Sequence, residues 1–568
     1  MNEPTGSPRK SARRRLRLRL SVRGLILLVL ASGAGLGGVE LRARAQREAV
    51  AAIEAVGGRV GYDLDYDDEG VPASSPTRWL ANLFGVDRVA TVVEVYGGPR
   101  FDDTAMAAAG RLSSLRKLDI VDCPVTDEAV AAGLAGLAGL ESLQIYGDEG
   151  GPKLTRAIIP AVAGLGRLEE LVLSNATMRL DDSDLERLSR LGRLRDATLG
   201  GPGITDRGLT ALARITAIEE LHIDDTAVTE VGLASLARCK QLRRLDLDGS
   251  KATTLEPLRD LPNLKILLVS DSPLESLWRS PVTGLNRLEN LNLTRMPLAA
   301  AGLKHLVGLE GLKGLSLMDA GLTGAGLAHV GRCITLESLA MSGDAITGLE
   351  PIRRLHRLNH LHVANTGITT LEPIRDMPRL ERIYAQNCPI TVAWRTPPTG
   401  LDALDVLDLS GTPLAGEGLA RMGDLASISI LFASGSKVDD AGLAYIGAMK
   451  GLAYLDLDST PITDAGLAGL ATLAKLTDLD LSGTAVGDAG VPHLLAIPGA
   501  PDIRMLRTGL TDAGLSRLAA PGGFRGSLQL GGTSLTREGV RAARSANPGL
   551  EITVQSSDEP PSTAVGPR

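Results

Sequence analysis

The sequence predicts an α/β right-handed solenoid, a horseshoe whose concave face is lined by short parallel strands and whose convex face is covered by short helices. Three observations predict it. A pattern L-x-x-L-x-L recurs at spacings of mostly 24 residues, with several of 22, from Leu115 through Leu140, Leu168, Leu242, Leu358 and Leu452 to a last copy at Arg525. The 568 residues are 44% hydrophobic but hold only three tryptophans, seven tyrosines and four phenylalanines, so aliphatic side chains must fill a thin interior. Between the leucine blocks stand segments such as TDRGLTAL (205–212), TDAGLAGL (463–470) and TDAGLSRL (511–518), which read as helix starts.

Each part of the unit has a physical reading. In LRKLDI (115–120) or LAYLDL (452–457), positions four and six point into the core, while three, five and seven point onto the open face. Position nine carries Cys123, Thr226, Ser250, Ser272, Thr366, Cys388, Thr412, Ser436, Thr460, Thr484, Thr508 and Thr533, a small polar ladder suited to bonding the backbone of the bend after the strand. In the 24-residue units threonine caps the outer helix and the next aspartate complements its dipole. The 22-residue units instead read LEPL or LEPI, with Pro257, Pro351 and Pro373 in the first turn, where no amide bond is lost. Helices take more width than the ~4.8 Å between strands, so the stack is expected to curve. WRSPVTGL (278–285) and WRTPPTGL (394–401) occupy equivalent positions and mark a block duplication, read as a packing element on the convex side. Cys239 and Cys333 share the twenty-second position, so all four cysteines are template residues, and no Cys-x-x-Cys pair is present.

On these motifs residues 115–555 resemble bacterial leucine-rich-repeat proteins. The TDAGL type resembles the cysteine-containing repeats of F-box and plant-pathogen effector proteins, and the LEPL type resembles internalin repeats. With the phrase REAVAAIEAVGGRVGYDLDY (47–66) ahead of the repeats, the layout is similar to anchored repeat proteins of planctomycete-type bacteria. The resemblance implies a non-catalytic scaffold that binds a protein, and leaves the partner open.

The amino-terminal end reads as an anchor. Arg9, Lys10, Arg13, Arg14, Arg15, Arg17, Arg19 and Arg23 precede an uncharged stretch from Gly24 to Val39. At 1.5 Å per residue that stretch spans about 24 Å, short of a ~30 Å hydrocarbon core unless arginines snorkel or the bilayer thins. The excess of positive charge before it puts residues 1–23 in the cytoplasm and the repeats outside. The alternative is a signal sequence cleaved after Ala43-Arg44-Ala45, giving a secreted chain that starts at Gln46. Residues 40–98 are assigned to a juxtamembrane helix and an amino-terminal cap, with RVGYDLDYD (59–67) as a strand, VATVVEVYGG (89–98) as a first rung, and Trp79 and Phe84 packed among them. Residues 99–555 make the solenoid of about 18 repeats, and 556–568 a disordered tail.

A formal net charge of -7 gives no general field for a phosphate backbone, so nucleic acid is not expected as a partner. No His-Glu-x-x-His, Walker or Gly-x-Ser-x-Gly motif occurs, and Ser114-Leu-Arg-Lys117 lacks its companion motifs. No catalytic residue, cofactor or metal is assigned. Candidate protein-binding residues are His222, Asn359, His360, His362, Asn365, Tyr384, Gln386 and Asn387, with Phe432 and Tyr454 bordering an acidic patch of Asp408, Asp456, Asp458 and Asp480. His360 and His362 share a face two residues apart, a spacing that can also bind zinc, but no third ligand is evident. The competing functions are a ubiquitin-ligase adaptor or secreted effector, for which no F-box is seen, and an enzyme with an unrecognised site.

Overall fold

The computed structural model describes residues 22–63, 86–147, 154–175, 177–282, 284–296, 300–343, 345–422 and 425–555, with the backbone alone at 22–38, 175, 300 and 301. The chain divides into two compact units, one of residues 1–170 with 175–177 and one of 171–174 with 178–568. The expectations for residues 1–21, the strand residues 64–67, Trp79, Phe84 and the tail 556–568 lie outside the described residues, as do those for the side chains of 24–38.

In the first unit the segments assigned to separate anchor and juxtamembrane helices form one continuous helix, Val22–Ala55. No proline stands at the junction of Val39 and Glu40 to break it, and Gly37 and Gly38 beside it are accommodated in the helix. Its second half buries Ala43, Ala49, Val50 and Ile53. Gln46 Nε2 donates to the Ala90 carbonyl at 3.1 Å, and its Oε1 accepts from the Val92 amide at 3.2 Å. Strand Arg59–Tyr62 pairs antiparallel with Val92–Gly97, which continues in parallel register to Lys117–Val121 and Ser142–Gly147. Helix and antiparallel strand together give the first rung the partner that a repeat would otherwise supply. Among the residues whose side chains are described, no helix is long and apolar enough to cross a membrane.

The second unit repeats one plan from the strand Asp196–Leu199 to the strand Glu551–Val554, every strand parallel to and in register with the next. The fourth-position leucines stack directly: Leu221, Leu245, Leu267 and Leu291 are in register and at most 2% exposed. At position eight the chain turns through the left-handed region. Asp225, Asp271, Arg295, Asp319, Asn365, Asn387, Ser459 and Arg507 hold φ between 52° and 58°, and glycine takes the same place at Gly249, Gly411 and Gly483. The next residue is the polar ladder, and its hydroxyls donate back to the sixth-position carbonyl, as Thr366 does to Val363 at 2.8 Å and Thr460 to Leu457 at 2.7 Å.

On the opposite side the TD motif does more than cap a helix. The aspartate reaches the equivalent residue of the following repeat, usually a threonine: Asp206 accepts from both Thr229 N (2.7 Å) and Thr229 Oγ1 (2.8 Å). The same pair of bonds joins Asp182 to Thr205, Asp440 to Thr463 and Asp488 to Thr511. The carboxylate also fixes the glycine of the motif. Asp182 Oδ1 accepts from Gly208 N at 2.9 Å, and a Cβ on Gly208 would stand 2.5 Å from that oxygen.

The LEP units form single-turn 3-10 helices, Glu256–Leu258, Glu350–Ile352 and Glu372–Ile374. With two residues fewer the outer segment has no room for a second turn. Glu256 accepts from the Arg279 amide at 2.8 Å, and Glu372 from the Arg395 amide at 2.7 Å, so both Trp-Arg pairs are held by the repeat before them. Trp278 and Trp394 are 1% and 0% exposed, which makes the duplicated element a plug of the core. All four cysteines are free and buried, and burial pushes Cys123, Cys239 and Cys333 up to about 11.

The rung-to-rung carboxylates are testable. Asp206→Ala, which strips two charge-assisted bonds from Thr229, is expected to cost about 2 kcal/mol in urea unfolding followed by circular dichroism. Gly208→Ala is expected to cost roughly 1–3 kcal/mol by overpacking. Gly192→Ala, whose Cβ meets nothing within 4 Å, should stay within about 0.5 kcal/mol of the wild type. Equal effects at Gly208 and Gly192 would contradict this account of the motif.

Candidate functional site

Parallel register turns each outward position of the repeat into a row that crosses the strands. At position five one row runs without interruption through His362, Tyr384, Asp408, Phe432, Asp456, Asp480, Arg504 and Gln529. The histidine–tyrosine patch and the acidic patch expected from the sequence are therefore one continuous surface. The His362 and Tyr384 rings lie 5.7 Å apart, and those of Phe432 and Tyr454 5.2 Å apart, both tilted by 49°. Tyr384, Phe432 and Tyr454 are half-buried, each resting its ring on the strands with one side open.

The carboxylates of this row are tied into the fold. Asp408, Asp456 and Asp480 each accept, at 2.9 Å, from the amide two residues on, at Ser410, Asp458 and Ser482. This closes an Asx turn that leads the strand into the left-handed bend. Asp408 also accepts from Gln386 Nε2, and Asp480 pairs with Arg504 at 2.9 Å. Arg504 reaches on to Gln529 Oε1 at 3.0 Å, while Arg507 stands 3.5 Å from Asp458. Asp456 has no such cation beside it. Burial, joined by the charges of Asp480, Asp458 and Asp408, pushes it up to about 6. Burial also raises Asp408, and lifts the Tyr454 hydroxyl to about 12. Tyr454, Asp478, Asp480, Asp502, Arg504 and Gln529 line a small hollow on this face.

The remaining candidates divide. His360 takes position three, in register with Ser338 and Arg382, and its Nδ1 lies 2.8 Å from Asn359 Oδ1. Burial and Arg382 hold its pKa down, and burial does the same for His362. Asn365 and Asn387 do not belong to the strand face. They are left-handed turn residues, bonded to each other at 2.9 Å, and their type is explained by φ values of 58° and 56°.

His222 stands apart from that row's aromatic stretch, in a cluster that single-residue reading of the sequence missed. Its Nδ1 lies 3.5 Å from Asp246 Oδ2, and Asp246 holds its pKa up. Asp224, two residues on, is pushed up to about 7 by burial and by the charges of Asp246 and Asp248. Asp196 and Glu220 face each other in register at position three beside it. The signal was present in the repeat alignment. Asp196 and Glu220 occupy equivalent positions of consecutive units, as do His222 and Asp246.

The raised carboxyls give a pH dependence of defined sign. An unfolded aspartate loses its proton near pH 4, whereas folded Asp456 keeps it to about 6. Its contribution to stability is complete below about pH 4 and is lost as the pH rises through 6. Asp456→Asn retains the Asx turn without the charge. Relative to wild type it should gain on the order of 2 kcal/mol between pH 4.5 and 7.5, measured by urea midpoints. A difference that stays flat over that range would refute the assignment.

A Leucine Rich repeat family model matches residues 111–132 and 472–491. No curated protein sequence matches the chain. Among solved structures, an internalin of Listeria monocytogenes is similar at 19% identity and a TM-score of 0.45, over 57% of this chain and 88% of that one. A leucine-rich-repeat protein of Leptospira interrogans is similar at 17% identity and 0.46, over 78% of this chain and 96% of that one. The ectodomain of the Arabidopsis thaliana membrane receptor kinase GASSHO1/SCHENGEN3 gives 17% identity and 0.48, over 82% and 67%.

Proposed function

We propose that the protein is a non-catalytic binding scaffold that holds a segment of a partner protein along the position-five row from His362 to Gln529. The observation that carries this reading is the row itself. A chain with only 14 aromatic residues places Tyr384, Phe432 and Tyr454 on one open stretch of strands, interleaved with carboxylates. Half-buried rings lose little side-chain freedom on contact and supply anchor area, and the excess of Asp over Arg around Asp456 asks for basic side chains in the partner. Position five faces away from the leucine core, so this composition serves no packing need.

Photo-crosslinkers at Tyr384 and Tyr454, used in the native cell, test the reading. The expected result is a discrete partner whose capture falls about 30- to 1000-fold in a Phe432→Ala, Asp456→Ala variant, the effect of losing anchors worth roughly 2–4 kcal/mol. Capture of the same partner at undiminished yield by that variant would sink the proposal.

The same reading places the scaffold on a membrane, tethered by residues 24–39 with the repeats outside the cytoplasm. The basic run before that stretch supports the orientation, and the continuous helix Val22–Ala55 supports retention of the segment. A cut after Ala45 would remove Ala43, which is 0% exposed, from the helix that covers the first rung. The protein should stay in the pellet on alkaline carbonate extraction. Release into the supernatant with Gln46 as its first residue would establish the cleaved alternative instead.

A further inference from the structure

We propose that Asp196, Glu220 and His222 form a site for a divalent transition-metal ion of the zinc type, separate from the partner-binding row and independent of that reading. Each offers one ligand atom, and these atoms lie within 4.8 Å of one another. The fold brings them together by register. Asp196 and Glu220 are opposed on neighbouring strands, and His222 follows Glu220 by two residues on the same face. A tetrahedral shell with bonds of about 2.0–2.1 Å sets its ligand atoms roughly 3.3–3.4 Å apart, so closing it takes a side-chain rotation of the flexible Glu220.

The imidazole is already oriented for this task. Asp246 is 9% exposed, stands in register with His222 on the next strand, and has Oδ2 3.5 Å from His222 Nδ1. The other oxygen of Asp246 accepts from the Asp248 amide at 3.3 Å, which fixes the carboxylate in turn. A carboxylate behind Nδ1 sets the tautomer and directs Nε2 to a metal, the usual outer support of a ligating histidine. Asp224 Oδ1, two residues on, is buried and without a hydrogen-bond partner. Arg244, in register with Glu220, opposes a cation, and the carboxylates of Asp196, Glu220 and Asp246 outnumber it. One nitrogen with two carboxylates favours zinc, cobalt or nickel over calcium and magnesium, and three protein ligands leave a position for water.

Calorimetric titration of the full chain with zinc chloride, alongside cobalt(II) absorption, decides the matter. The expected result is one saturable site at micromolar zinc and visible cobalt bands of a four-coordinate ion. Both should be lost in His222→Ala and in Glu220→Gln, the latter a substitution at a strand-face position outside the core. Asp246→Asn should weaken binding tenfold to a hundredfold, while His360→Ala leaves it unchanged. Absence of binding in wild type would overturn the proposal, and so would zinc or cobalt binding that survives both His222→Ala and Glu220→Gln.

Discussion

No rung of this protein can satisfy itself. A strand of three residues has no partner within its own repeat, and its leucine stacks in register on the leucines of the rungs above and below. The strand amides and the core leucines are therefore completed by neighbouring repeats, and the repeats must keep register to the residue. The aspartate–threonine bonds on the outer side serve the same requirement. They join consecutive repeats at a fixed offset, and the glycine beside them exists because the preceding carboxylate occupies the space of its Cβ.

That requirement divides the repeat into positions that are spent and positions that are free. Positions one, four and six are committed to the core, eight to the left-handed turn, nine to the polar ladder, and the TDxGL segment to the outer links. Positions three, five and seven meet solvent and carry the chemical variety: histidine, tyrosine, phenylalanine, arginine and aspartate in one row, and a neutral run of Leu268, Asn292, Ser316 and Ala340 between the His222 cluster and His362. A scaffold of this kind acquires specificity by changing those positions while leaving its leucine core in place.

The fold was legible because its constraint is periodic. The L-x-x-L-x-L blocks, the ladder Thr366–Cys388–Thr412 and the Trp278 and Trp394 plugs all follow from aligning the repeats. The amino-terminal cap was legible only in outline, since the antiparallel pairing of Arg59–Tyr62 has no repeat to announce it. For the candidate site, residue type along a single strand pointed to His362, Tyr384, Phe432 and Asp456, which register brings into one row, and it also drew in Asn365 and Asn387. Those two are polar because a left-handed turn tolerates asparagine. Residue type also left out Asp196, Glu220 and Asp246, whose meaning lies across strands, at equal positions of successive repeats. Contacts between rungs are a property of register, which a reading of one repeat at a time does not see.

The position-five carboxylates show how fold and function share one residue. Their Asx turns explain an acceptor at that place, yet they do not explain a charge, because Asn292 accepts from the Thr294 amide at 3.1 Å and turns the chain equally well. Aspartate at 456 and 480 therefore brings like charges to adjacent strands, with Asp408 two strands away, for no gain in the turn, and burial together with that repulsion raises the pKa of Asp456. Arg504 offsets one of the three, and Gln386 solvates another. The charge left at Asp456, in register with Phe432 and two residues from Tyr454 on the same strand, is surplus to the scaffold. A cationic side chain bound there would recover the repulsion as binding energy, because it would meet carboxylates already desolvated and held in place.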